Sequence, residues 1–241
     1  MQDFSYYAPT QVVFGRNAED KVASLIKKYG GTKVLLHYGG QSAIKSGLLP
    51  KVEQILKEAG INYVSLGGVV PNPRLSKVHE GIELCRKEGV DFILAVGGGS
   101  VIDSSKAIGY GINYDGDVWD VYTGKHNPQS FVPLGTILTI PAAGSEMSNS
   151  SVITNEDGDI KLGYGNNLCR PKFAIMNPER TYTLPAWQTA CGITDMIMHT
   201  MERYFSKDDD MEITDSIAEA LIRTWMVEAP KVLENQNDYI S

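Results

Sequence analysis

Residues 91–107, DFILAVGGGSVIDSSKA, decide the fold of this chain. The apolar run at 92–96 is typical of a strand that is buried on both faces of a sheet. Three glycines follow it directly, and Ser100 and Asp103 then have the spacing of a capping box at a helix start. The stretch therefore predicts a strand, a glycine turn and the first turns of a helix.

The glycine turn is the first candidate site. Residues without a Cβ let a ligand approach the backbone closely, and the free N–H groups and dipole of a helix start favour an anion. We interpret Gly98, Gly99 and Ser100, with Asp103, as a cradle for a diphosphate. The alternative is a tight turn whose glycines serve packing alone. The pattern is neither the G-x-G-x-x-G fingerprint nor a P-loop.

Composition excludes several classes of function. A net charge of −7, with 42% hydrophobic and 21% charged residues, describes an ordinary globular protein. It argues against a general affinity for nucleic acid or for an anionic membrane. The sequence has no apolar run of membrane-spanning length and no signal-peptide pattern at its start. Three scattered cysteines predict a reducing compartment, so we expect a cytoplasmic protein without nucleic acid or membrane partners.

Strand and helix patterns alternate through the first part of the chain, which predicts an α/β fold with a parallel sheet and helices on both faces. Ligands of such sheets bind at the carboxyl ends of the strands. The turns at 39–42, 70–74 and 97–100 are therefore expected on one rim, where they could serve one extended ligand. The predicted strands are at 11–14, 33–38, 62–66, 92–96, 134–140 and 173–176, with a hairpin at 151–164, and the predicted helices are at 17–29, 49–59, 75–88, 100–114 and 118–122.

After residue 183 the pattern changes, and two helices are predicted at 187–205 and 213–233. We therefore predict a nucleotide-binding domain at residues 1–182 and the beginning of an all-helical domain at residues 183–241.

Asp195 and His199 form the second candidate site. They are four residues apart on a predicted helix and so share a face. A carboxylate with an imidazole suits Fe²⁺, Zn²⁺ or Mn²⁺. The alternative is an intrahelical Asp–His pair beside an apolar stripe. We interpret Glu202, on the same face, as a surface charge or a partner of a ligand rather than as a third ligand.

Together these motifs resemble the iron-containing (group III) alcohol dehydrogenases, and within them the NADPH-dependent butanol dehydrogenase and aldehyde reductase branch. The matching stretches cover nearly all of the chain in the order of the family. They are VVFG at 12–15, YGGQS at 38–42, PNP at 71–73, VGGGSVIDSSK at 96–106, TIPAAGSEM at 139–147, TLP at 183–185 and GITDMIMH at 192–199.

The resemblance implies a dehydroquinate synthase-like fold with a metal between its two domains, and a homodimer. It implies reduction of a small aldehyde to a primary alcohol such as butanol, and the reverse reaction. Asp195 and His199 match two metal ligands of the family. The implied cofactor-binding residues are Gly98, Gly99, Ser100, Asn72, Thr139, Ser148, Val152, Lys161 and Leu184.

The resemblance also implies two further metal ligands, both His, from later helices. None of His37, His79 and His126 matches them, so we expect this chain to be part of a longer protein.

The residues after the second strand bear on the choice of cofactor. Gly39, Gly40, Gln41 and Ser42 include no acidic residue, and Lys45 follows them. An acidic residue there would favour NAD and repel a 2′-phosphate, so we predict NADP(H). The alternative is that Ser42 merely caps the following turn.

Two other functions stay open at this point. One is a nucleotide-binding module without catalysis, and the other is a relative of the same fold, such as glycerol dehydrogenase or dehydroquinate synthase.

Overall fold

A parallel sheet runs through residues 8–177 of the computed structural model, which describes residues 3, 5–207 and 211–240. Within these residues the sheet has six strands in the order β1-β8-β5-β4-β2-β3, and all neighbouring strands are parallel. The predicted α/β fold is confirmed. The strands are β1 Gln11–Phe14, β2 Lys33–Tyr38, β3 Asn62–Leu66, β4 Phe92–Gly97, β5 Leu134–Leu138, β6 Ser150–Asn155, β7 Ile160–Gly165 and β8 Phe173–Met176.

Helices connect these strands and cover both faces of the sheet. They are α1 Val22–Lys28, α2 Ser42–Lys45, α3 Leu48–Glu58, α4 Leu75–Glu88, α5 Gly99–Gly111 and α6 Trp119–Tyr122, with 3-10 turns at Ala18–Lys21 and Asn167–Cys169. After residue 177 the chain forms a 3-10 turn at Pro178–Thr181 and the helices α7 Ala186–Tyr204 and α8 Glu212–Glu234, which belong to the second unit.

The side chains of β4 alternate between two apolar cores. Ile93 and Ala95 pack with residues of α4 and α5. Phe92, Leu94 and Val96 pack with residues of α1 and α3. All five side chains are fully buried. Successive residues of a strand point to opposite faces, so a strand with both faces covered has a continuous apolar sequence.

Helix α5 begins differently from the prediction. The residue before its first turn is Gly98, which has no side chain, and Ser100 already lies inside the helix. The predicted capping box of Ser100 and Asp103 is therefore wrong. The carboxylate of Asp103 instead accepts hydrogen bonds from residues of other elements, which are described with the site below.

Helix α5 also ends three residues earlier than predicted, at Gly111 rather than near Tyr114. The guanidinium of Arg86, on α4, donates to the carbonyls of Gly111 at 2.8 Å and Ile112 at 3.0 Å. It also donates to the carbonyl of Tyr114. The last carbonyls of a helix have no partner within it, and a basic side chain can satisfy them.

The predicted hairpin is confirmed as β6 and β7, which pair antiparallel outside the main sheet. Its first strand is attached to the proline-containing loop after β3. The amide of Thr154 donates to the carbonyl of Pro73 at 2.9 Å, and Thr154 and Arg74 form an isolated parallel bridge. This attachment brings the hairpin to the loop that contains Asn72.

The described residues outside 8–177 form a second compact unit with α7 and α8. The Tyr204 hydroxyl of α7 donates to Glu219 of α8 at 3.2 Å, and the side-chain amide of Gln236, just after α8, donates to Thr189 of α7 at 2.8 Å. The predicted division after residue 182 stays a prediction. In the part of the chain that the structure describes, no helix combines the length and apolarity needed to cross a membrane.

Candidate functional site

The turns that follow β2, β3, β4 and β5 lie side by side. His37 pairs with Leu66, and Tyr38 pairs with Val96, so these three strands end at the same level. Beyond them the amide of Gly68 donates to the carbonyl of Gly39 at 2.8 Å. On the other side of β4, the Thr139 amide donates to the Gly97 carbonyl at 3.2 Å. The prediction that the strand ends form one rim is confirmed.

The glycine turn lies in the middle of this rim and is tightly packed. A Cβ on Gly98 would lie 2.6 Å from Cγ2 of Ile140, and one on Gly99 would lie 2.9 Å from Cβ of Ala143. Packing against the loop after β5 therefore requires glycine at both positions. Gly98, Gly99 and Ser100 nevertheless remain half-buried. The first N–H groups of a helix have no partner within it, so an anion can still be bound here.

Asp103 joins α5 to the hairpin and to the loop after β5. Its carboxylate accepts from the Ser145 hydroxyl at 2.5 Å and from the Val152 amide at 3.0 Å. Burial raises the pKa of Asp103, and these two hydrogen bonds oppose the increase. Asp103 thus holds Val152 and the loop close to α5.

Lys106 is a residue of this site that sequence reasoning missed. It lies one helical turn after Asp103 and is fully buried, and its ammonium donates to residues of the loop after β5. The signal in the sequence was its position among Val101, Ile102 and Ala107, which are buried residues of α5. A lysine on an apolar helix face needs polar partners in the interior.

The structure brings Asn72 and Lys161 together. The ammonium of Lys161, on β7, donates to the side-chain oxygen of Asn72 at 2.8 Å. Asn72 has a positive φ of 56°, an uncommon conformation for a residue other than glycine. Leu184, by contrast, belongs to the second unit, and its assignment to the cofactor site stays a prediction.

The turn after β2 is open to solvent. Gly40, Gln41 and Ser42 are exposed, and a Cβ on Gly40 would have no atom within 4 Å. The N-cap of α2 is Gln41 and not Ser42. The interpretation of Ser42 as a cap is therefore wrong, while its assignment to cofactor binding stays a prediction.

Asp195 and His199 share one face of α7, as their spacing predicts. His199 Nε2 lies 3.6 Å from Asp195 Oδ2, and His199 Nδ1 lies 3.4 Å from Glu202 Oε2. Both Asp195 and His199 are exposed, so both can reach a metal ion. Among residues 3, 5–207 and 211–240, no group of three or more His, Cys, Asp or Glu side chains is placed to hold one. The donor types fit a divalent transition metal as two of its ligands.

The fold and the rim define an α/β protein with a parallel sheet, a class whose ligands usually bind at the carboxyl ends of the strands. The model of the family described as iron-containing alcohol dehydrogenase matches residues 9–178. The chain therefore belongs to the iron-containing alcohol dehydrogenase family.

Similar proteins within this family carry names that differ in the cofactor. The chain is 45% identical to the probable NADH-dependent butanol dehydrogenase 1 of Bacillus subtilis, over 99% of this chain and 62% of that protein. It is 36% identical to the NADPH-dependent aldehyde reductase YqhD of Escherichia coli, again over 99% of this chain and 62% of that protein.

The fold is also similar to solved structures. The crystal structure of NADH-dependent butanol dehydrogenase A from Thermotoga maritima matches with a TM-score of 0.94 and 43% identity, over 99% of this chain and 60% of that chain. The present chain thus spans about three fifths of the length of the relatives that it matches.

Proposed function

We propose that this chain provides the cofactor site and two metal ligands of an NADP(H)-dependent alcohol dehydrogenase. The enzyme interconverts a small aldehyde and a primary alcohol such as butanol. The observation that carries the proposal is the rim, where the half-buried start of α5 adjoins the turns after β2, β3 and β5. The family and the names of its butanol dehydrogenases and aldehyde reductase support the reaction class.

In this proposal the dinucleotide lies along the rim. The amides of Gly98, Gly99 and Ser100 bind the diphosphate, since they are at the N-terminus of α5. Lys161 and Asn72, already in contact, line the adjoining part of the site. When bound, the nicotinamide supplies or accepts the hydride, and the protein fixes its position. The remaining lining residues that we propose are Thr139, Ser148, Val152, Leu184 and, at the turn after β2, Gly39, Gly40 and Ser42, with Asp103 holding Val152 in place.

Asp195 and His199 are the proposed metal ligands. Their oxygen and nitrogen atoms suit Fe²⁺ first, and Zn²⁺ or Mn²⁺ as alternatives. When bound, the metal acts as a Lewis acid on the oxygen of the substrate. Asp195 would contribute a carboxylate oxygen and His199 an imidazole nitrogen, and their spacing of one helical turn places both on one face of α7.

The preferred cofactor in this proposal is NADP(H). The exposed turn after β2 carries no carboxylate, and the Ser42 hydroxyl and Lys45 ammonium of the short helix α2 suit a phosphate. The similar proteins are named for both NADH and NADPH, so titration of this chain with both cofactors decides the matter.

The metal assignment is tested with Asp195→Asn, which removes a ligating charge with little change in shape. We expect the affinity for Fe²⁺ or Zn²⁺ and the rate of butanol oxidation by NADP⁺ to fall about tenfold or more. Removing a metal ligand should weaken metal binding at least as much as removing a residue that only hydrogen-bonds to a ligand. Binding of NADPH should stay unchanged. Metal content is measured after dialysis, and turnover by the absorbance of NADPH.

Glu202→Gln is the matched control, because Glu202 lies on the same helix face near His199 but is not a proposed ligand. It should retain the metal. Full metal content and turnover in Asp195→Asn would overturn the assignment. Binding of NADPH without any turnover in the unaltered protein, with metal supplied, would favour a nucleotide-binding module. Turnover of glycerol but not of butanol would favour a glycerol dehydrogenase-like reaction.

A further inference from the structure

Lys106 has no part in the reaction described above, yet its side chain is among the largest that are fully buried. Its ammonium lies 2.7 Å from the carbonyl of Ser145, 3.0 Å from that of Ser148 and 2.8 Å from that of Ser150. It also lies 2.9 Å from the Ser145 hydroxyl and 3.2 Å from the Ser148 hydroxyl. An ammonium has three N–H donors, so these five oxygens share them and surround the nitrogen.

All five oxygens belong to residues 145–150, which come directly before or at the start of β6. This part of the chain has no strand or helix of its own between β5 and β6. Its only regular backbone feature is the turn at Gly144, whose carbonyl accepts from the amides of Met147 and Ser148 at 3.2 Å. Contacts with the rest of the protein must therefore fix its conformation. Arg170 binds the carbonyl of Met147 at 2.7 Å from a more exposed position.

The beginning of the same loop forms a wall of the glycine turn. Ile140 and Ala143 occupy the space that side chains at Gly98 and Gly99 would need. The Ser145 hydroxyl links the two charged residues of α5, since it donates to Asp103 at 2.5 Å and accepts from Lys106. The loop is therefore attached to α5 at one end by Asp103 and Lys106 and contacts the glycine turn at the other.

Charge makes this attachment strong. Burial lowers the pKa of Lys106, and the nearby negative charges of Asp103 and Glu146 oppose the decrease. Hydrogen bonds to a charged donor are roughly twice as strong as neutral ones. Removing the ammonium would leave the buried carbonyl of Ser145 without this donor, and the part-buried carbonyls of Ser148 and Ser150 would lose a charged donor.

We propose that Lys106 is a positioning residue for dinucleotide binding. Its ammonium fixes the conformation of residues 145–150, and this conformation places Ile140 and Ala143 of the same loop against Gly98 and Gly99. The proposal rests on the proposed function only in the identity of the ligand. The part that concerns the loop is independent of it. Lys106 touches neither substrate nor cofactor in this scheme.

The test replaces Lys106 by Met, which keeps the length of the side chain and removes the charge. Hydrogen exchange of residues 143–151 is measured without cofactor, and the dissociation constants of NADPH and NADH are measured by calorimetry well below the melting temperature. We expect faster exchange in this loop and about tenfold weaker binding of the preferred dinucleotide. A purely structural role would lower the melting temperature and leave the dissociation constant of the folded protein unchanged.

Ser105→Ala is the matched control, because Ser105 is a fully buried neighbour whose hydroxyl donates within α5 to Val101. It should leave both readings unchanged. If Lys106→Met does not fold, Ser145→Ala carries the test, since it removes the hydroxyl between Lys106 and Asp103. We expect about threefold weaker binding from that variant.

Unchanged exchange and an unchanged dissociation constant in a folded Lys106→Met, or unchanged binding in Ser145→Ala, would overturn the role of Lys106. Failure of the unaltered protein to bind either dinucleotide would instead overturn the proposed function. In that event, unchanged hydrogen exchange of residues 143–151 in Lys106→Met would still show that Lys106 does not fix the conformation of the loop.

Discussion

At the scale of single residues, we propose that Gly40 is the position that decides between the two nicotinamide cofactors. It follows β2 at the rim, is exposed and has room for a side chain. Its φ is not in the left-handed region, so a residue with a side chain can adopt its backbone conformation. A carboxylate at this point of a nucleotide-binding sheet would accept hydrogen bonds from the ribose of NAD and repel the 2′-phosphate of NADP.

Gly40→Asp should therefore shift the preference toward NAD(H). We expect NADPH to bind about tenfold more weakly and NADH at least as well as before, as measured by calorimetric titration. Gly40→Asn has the same shape without the charge and should change the ratio much less. Tighter binding of NADH by the unaltered protein would reject the predicted preference.

Residue patterns alone predicted some features of the candidate site correctly and misjudged others. The common face of Asp195 and His199 was predicted correctly because helical spacing fixes it, while their role as metal ligands stays a prediction. Asp103 was assigned to a capping box because its partners, Ser145 and Val152, are distant in sequence. Lys106 was missed for the same reason, since its acceptors lie about 40 residues away.

At the scale of elements, His37 joins three of them, the strands β2 and β3 and the helix α5. It is fully buried on β2, and its Nδ1 lies 2.8 Å from the Leu66 carbonyl of β3. Its Nε2 lies 3.1 Å from the Ser104 hydroxyl of α5. The carbonyl requires a proton on Nδ1, so neutral His37 accepts from Ser104 at Nε2. Burial lowers the pKa of His37 to about 4.

This shift makes the stability of the sheet depend on pH. Between the ordinary pKa of 6.5 and about 4, the unfolded chain binds a proton at His37 and the folded chain does not. The contribution of neutral His37 to the free energy of unfolding is therefore complete above pH 6.5. It decreases by roughly 3 kcal/mol as the pH falls toward 4. Urea unfolding at several pH values measures it.

His37→Asn is the comparison, because its amide can still donate to Leu66 but does not titrate. Its free energy of unfolding should change less steeply between pH 6.5 and 4.5 than that of the unaltered protein. Equal slopes for the two proteins would contradict the neutral, buried state of His37.

The elements themselves were largely predictable. The strand β4 is a continuous apolar run because both faces of the sheet are covered, and the hairpin follows from the turn residues 156–159. The end of α5 was misplaced because Arg86, on another helix, takes its last carbonyls. Attachment of the hairpin through Thr154 and Pro73 likewise depends on a contact that no local pattern encodes.

At the scale of the whole molecule, the site depends on the order of the strands. Residues of β2, β4 and β5 are far apart in sequence, but parallel pairing aligns their carboxyl ends at one rim. Family membership accounts for this arrangement, and the match extends over 99% of the chain. The proposed metal ligands, Asp195 and His199, lie in the other compact unit, on α7.

The measurement that tests the central claim most directly is a crystal structure of the protein with bound NADPH. The account predicts diphosphate oxygens within about 3.2 Å of the amide nitrogens of Gly98, Gly99 and Ser100, at the start of α5. A dinucleotide whose diphosphate lies away from these amides would contradict the claim.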